Sequence, residues 1–181
     1  MPFPYSLDDY VSDVKEELLK RGIEKPCVVA HSFGARIVLR LASLDSEFFD
    51  KIVLTGAAGL KPKLTFKKAV KRTVFKVLKP FIKKEKLLKF YSKDYLALSN
   101  VMRKSFIKIV NNNLDEDSKK IKNPTLLVFG KEDKETPLYM AKRLNKNITN
   151  STLIVIEKAG HFAFIDKPSK FNMEVKEFLL R

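Results

Sequence analysis

The chain has 181 residues, enough for one ordinary domain and too few for two of comfortable size. An apolar share of 45% excludes a disordered chain, and no apolar run reaches the roughly 18 residues of a membrane span. The formal net charge of +15 is concentrated in one place: from Lys61 to Lys108 there are 16 Lys and Arg against two acids, Glu85 and Asp94, a local charge of +14.

The first ten residues, MPFPYSLDDY, are acidic and lack the basic flank and apolar run of a signal peptide. The single cysteine, Cys27, forms no internal disulfide, and its apolar setting in PCVVA predicts a buried thiol. These features predict a cytoplasmic protein. Two histidines and no Cys/His cluster give no metal-ligand spacing, and nothing in the sequence implies a cofactor.

The first predicted helix runs from Ser6 to Arg21. Ser6 caps it, Asp8 and Asp9 suit its first turn, and Gly22 stops it. Leu7, Tyr10, Val11, Val14, Leu18 and Leu19 form its apolar stripe. Residues 26–31, PCVVAH, then read as a short buried strand, followed by a helix over Phe33–Ser43 with Ile37, Val38 and Leu41 inward. Lys51–Thr55 is a second buried strand closed by Gly56. The basic segment follows, with Phe66, Val70, Val74, Val77 and Leu78 at helical spacing among lysines. Pro124–Phe129 is a third strand ended by Gly130. Thr136–Asn145 is a helix with Pro137 in its first turn. Thr152–Ile156 is a fourth strand, and Pro168–Leu180 a last helix with Phe171, Val175, Phe178 and Leu179 on one face.

Strands that are continuous apolar runs, alternating with helices, predict an α/β fold. Its core is a parallel sheet of about four strands with helices on both faces. Residues 1–59 and 109–181 form this core, and 60–108 a basic helical cap inserted where strands end, the end at which such folds bind ligands.

Three polar residues stand just beyond strands. Ser32 lies in AHSFG, on a sharp strand-to-helix turn flanked by the small residues Ala30 and Gly34. Alone, that pentapeptide suits a helix-capping serine as well as a nucleophile. Asp133 follows the third strand in GKED, where Glu132 or Glu135 is an alternative acid. His161 follows the fourth strand in AGHF. Together they form a Ser, acid and His set at one end of the sheet. His31, beside Ser32, reads as structural.

The blocks VVAHSFGARIVL, LLVFGKEDKETP and EKAGHFAFIDKP resemble the α/β-hydrolase superfamily, specifically its capped, esterase-like members. The resemblance runs from about Ser6 to the C-terminus, in the family's order Ser, Asp, His. It implies a serine hydrolase of small acyl substrates, with Ser32 as nucleophile, His161 as base and Asp133 as its partner. The backbone N–H of Phe33 would serve the oxyanion. The family has about eight strands and an HG-type loop that supplies a second oxyanion donor. Neither precedes Ser32 here, so the first strand is expected at a sheet edge. The sequence is accordingly read as part of a longer hydrolase, ahead of a degenerate product or a sheet completed by a second chain. The basic segment is expected to cap the site, with contact to an anionic membrane as the alternative; no nucleic-acid motif accompanies its charge.

Overall fold

The computed structural model of the chain describes residues 3–62 and 97–181. Four strands, β1 (Val28–His31), β2 (Ile52–Thr55), β3 (Thr125–Gly130) and β4 (Ser151–Ile156), form one sheet in the order β1-β2-β3-β4. All neighbours are parallel, with Val28 opposite Ile52, Ile52 opposite Thr125 and Thr125 opposite Ser151. Every residue of β2 and β3 is buried, as expected of inner strands covered on both faces.

Side chains alternate along each strand, so β2, β3 and β4 feed two cores. Ile52, Leu54, Leu127 and Phe129 enter one, with α1 (Leu7–Lys20), α2 (Phe33–Leu44) and α5 (Leu138–Asn147). Val53, Leu126 and Val128 enter the other, with α6 (Ala163–Asp166) and α7 (Pro168–Leu180). Among the described residues the other helices are α3 (Asn100–Asn111) and α4 (Asp115–Ser118). The expected layered parallel sheet is therefore present.

Local chemistry sets the helix ends. Ser6 caps α1 in a reciprocal box with Asp9. Gly22, at φ 65°, ends it with paired bonds from Gly22 N–H to Leu19 O and Ile23 N–H to Leu18 O. Leu7 and Val11 of the expected stripe are buried, but Val14 and Leu19 are exposed. Ser99 caps α3. The helix expected from Thr136 begins instead at Leu138, because Thr136 is occupied with Asp133, as described below.

Among the described residues β1 is the expected edge strand, but it is not the buried strand that its apolar run predicts: Val29 is 52% exposed. Cys27 is exposed, not buried. An apolar run does not reveal whether both sheet faces are covered beside it. The basic cap assigned to residues 60–108 lies outside the described residues over 63–96. Its boundary at 108/109 falls inside α3.

Candidate active site

Ser32 follows the last residue of β1 and opens α2. Its backbone is held at φ 48°, ψ −106°, a conformation that costs an L-residue about 1–3 kcal/mol. Two bonds hold it: Ser32 N–H donates to Thr55 O at 3.1 Å, and Ala58 N–H donates to Ser32 O at 3.3 Å. Although Ser32 occupies the helix-capping position, its hydroxyl makes no capping bond. The capping reading of this serine therefore fails. A Cβ on Gly34 would lie 3.8 Å from that of Ala30, so the turn has room for small residues on both sides. Phe33 is the first residue of α2, where backbone N–H groups lack intrahelical acceptors.

Asp133 and His161 come from the loops after β3 and β4. Their side chains are almost wholly buried, and His161 Nδ1 lies 2.9 Å from Asp133 Oδ2. The other carboxylate oxygen, Oδ1, accepts N–H bonds from Glu135 and Thr136, each at 2.8 Å. The Thr136 hydroxyl donates to Oδ2 at 2.7 Å and lies 3.4 Å from His161 Nδ1. Burial opposes the charge on Asp133. The hydrogen bonds from His161 and from the Thr136 side chain and backbone outweigh it, so the carboxyl sits below its ordinary range. Asp133, not Glu132, thus partners Nδ1. Glu135 instead faces the opposite ring nitrogen, with its carboxylate 3.6 Å from His161 Nε2.

Two glycines make room for this histidine. Gly56, at φ 50°, lies where a Cβ would come within 3.0 Å of the His161 ring. At Gly130 a Cβ would stand 2.1 Å from Gly160 O and 2.3 Å from Ala159 O. The loop carrying His161 crosses directly over the end of β3.

His31 joins the two halves of the site. Its ring lies 4.6 Å from that of His161 and also meets Phe162 and Phe164. Nδ1 lies 3.1 Å from Thr55 O, the geometry of an Nδ1–H donor. Nε2 is buried without a hydrogen-bond partner. Burial and the neighbouring His161 hold its pKa below the ordinary value, which favours the neutral ring.

All four residues singled out in the sequence thus lie at the C-terminal rim of the sheet. Asp133 and His161 are bonded directly. Ser32 and Phe33 follow His31, which packs on His161. Among the described residues no hydrogen bond joins Ser32 Oγ to His161, whose ring nitrogens face Asp133, Thr136 and Glu135. The sequence reading missed Thr136. Its only signal was the Asp-x-x-Thr spacing, which places a threonine hydroxyl one turn from the carboxylate. Among the described residues, no three or more His, Cys, Asp or Glu side chains converge as a metal-binding group.

Comparison with known proteins agrees with this architecture. The chain is 26% identical over 182 residues to the uncharacterized hydrolase YugF of Bacillus subtilis, covering 87% of this chain and 66% of YugF. It is 25% identical over 181 residues to a 2-hydroxymuconate semialdehyde hydrolase of Pseudomonas putida, covering 87% of this chain and 63% of that enzyme. The chain therefore spans about two thirds of the length of these relatives. The crystal structure of MGS-MChE2, an alpha/beta hydrolase enzyme from a Moroccan lagoon metagenome, superposes with a TM-score of 0.67 at 28% identity. That match covers 96% of this chain and 69% of MGS-MChE2. A model of the alpha/beta hydrolase family matches residues 1–174, and the chain belongs to that family.

Proposed function

We propose that this α/β-hydrolase cleaves a small ester or related acyl substrate through an acyl-enzyme on Ser32. The observation that carries the reading is the buried Asp133–His161 pair, at the same rim as a strained serine whose hydroxyl caps nothing. In the reaction, Ser32 Oγ attacks the acyl carbon and its proton passes to His161 Nε2. Asp133 keeps Nδ1–H and stabilises the imidazolium. The Phe33 N–H donates to the oxyanion. Collapse expels the alcohol, which takes the proton from His161. Water then attacks the acyl-enzyme, delivers a proton to His161 and releases the acid, and the proton returns to Ser32.

A fluorophosphonate probe tests this. Labelling at Ser32 is expected, abolished by Ser32→Ala and weakened by His161→Ala. Folded protein that takes up no label overturns the reading.

A second reading is supported by the charge of +14 between Lys61 and Lys108. In it the chain is a non-catalytic scaffold whose cationic segment binds an anionic lipid surface or a protein partner. Salt-sensitive sedimentation with anionic vesicles by a protein inert to the probe would favour it. No helix among the described residues is long and apolar enough to cross a membrane. A cytoplasmic setting accords with the lone cysteine.

A further inference from the structure

A cavity of about 140 Å³ opens beside the elbow. It is lined by Tyr10 of α1, Phe33 of α2, and Leu98, Met102, Phe106 and Ile109 on or just before α3. Met102, Phe106 and Ile109 recur at helical spacing, so one face of α3 forms a wall. The Tyr10 and Phe33 rings meet edge to face, 5.2 Å apart, and form the opposite side.

The polar groups around the cavity already have partners that fasten its walls. Ser105, which also lines it, accepts a hydrogen bond from Tyr5 N–H at 2.8 Å and donates to Val101 O at 3.2 Å. Arg36 of α2 donates to Ile109 O and Asn112 O, tying the end of α3 to the helix that starts at the elbow. Lys108 donates to Pro4 O. The polar contacts thus serve the frame, and the rings and aliphatic side chains serve the space, as in small-molecule sites that form before the ligand arrives.

One of the residues that line this cavity, Phe33, is also the one that follows Ser32. An acyl group on Ser32, with its oxygen on the Phe33 N–H, has its carbonyl next to the Phe33 backbone. Phe33, whose side chain lines the cavity, therefore links the acyl position to that space. From these contacts, and on the proposed reading of Ser32 as nucleophile, we infer that the cavity is the acyl-chain subsite and selects short, uncharged acyl groups. An apolar cavity of about 150 Å³ accommodates benzene, so this one takes a chain of about four to six carbons. Carboxylate or ammonium on the chain would be desolvated there without a partner.

The test is a series of p-nitrophenyl esters from acetate to dodecanoate. Each methylene that enters the cavity is worth about fourfold in kcat/KM. The wild-type protein should therefore gain from acetate to butyrate or hexanoate and lose beyond. Met102→Trp should lower the hexanoate-to-acetate ratio of kcat/KM about tenfold, and Phe106→Ala should move the optimum to longer chains. An acetate-to-hexanoate ratio that neither variant alters, in protein active on acetate, overturns the subsite and leaves the hydrolase reading standing. A protein inactive on every ester overturns the hydrolase reading. The cavity is then judged by titrating hexanamide into protein carrying ¹³C-methyl methionine. A shift confined to Met102, with Met140 and Met173 unmoved, supports an apolar ligand site, and no shift overturns it.

Discussion

The two sides of the sheet rim are held in place by different means. On the β3–β4 side, both strands pair along their full length. Asp133 accepts bonds on both oxygens, and His161 rests where two glycines leave space. On the β1 side, an edge strand ends in a residue under backbone strain that two main-chain bonds retain. The Asp133–His161 pair is positioned by a network of hydrogen bonds and close packing. Ser32 is held in a backbone conformation that costs stability. Substitutions should therefore separate the two sides.

The largest expected effect falls on the network. Asp133→Asn leaves the shape but offers an amide to Nδ1, so it should lower kcat by about 10⁴-fold with the fold retained. Steady-state kinetics and circular dichroism on one preparation check both halves of that expectation. Next comes Gly130→Ala. Its Cβ would meet the carbonyls of Ala159 and Gly160, so the loop carrying His161 must move. A loss of about 3 kcal/mol in urea unfolding is expected, together with lost probe labelling; unchanged labelling would show that the crossing is not needed.

Thr136→Val removes one donor from Asp133 Oδ2 and should cost about tenfold in kcat. It also reports on pH. The folded Asp133 carboxyl titrates below its ordinary value of 3.8. Its contribution to stability is therefore present above that value and lost as pH falls through the lower, folded value. Removing the Thr136 hydroxyl raises the folded value towards the unfolded one, so this contribution should be smaller and its loss complete at a higher pH in acid titrations followed by fluorescence.

The smallest effect belongs to the serine side and has the opposite sign. Ser32→Gly relieves the strained φ and should raise stability by about 1 kcal/mol, after allowing for glycine's greater freedom when unfolded. Probe labelling should vanish in the same protein. A loss of stability would mean that Ser32 is held by contacts and not strained.

What the sequence determined by itself is the set of strands and the residues at their ends. In a parallel sheet every strand finishes at the same rim, so Ser32, Asp133 and His161 could be placed together from chain order and from the turn residues beside them. Helix limits were legible where caps are local, as at Ser6 and Gly22. The tertiary structure alone decided whatever depends on residues distant in sequence. Gly56 and Gly130 look like strand stops in the sequence, yet their lack of a side chain matters for residues that return about 100 and 30 positions later. Thr136 reads as the first turn of a helix until Asp133 claims its hydroxyl and N–H. Cys27 and Val29 read as buried, because an apolar run carries no mark of whether anything covers it. Chemistry that is local along the chain is written in the sequence, whereas clearance, burial and the sharing of a hydrogen bond are settled only when separate segments meet.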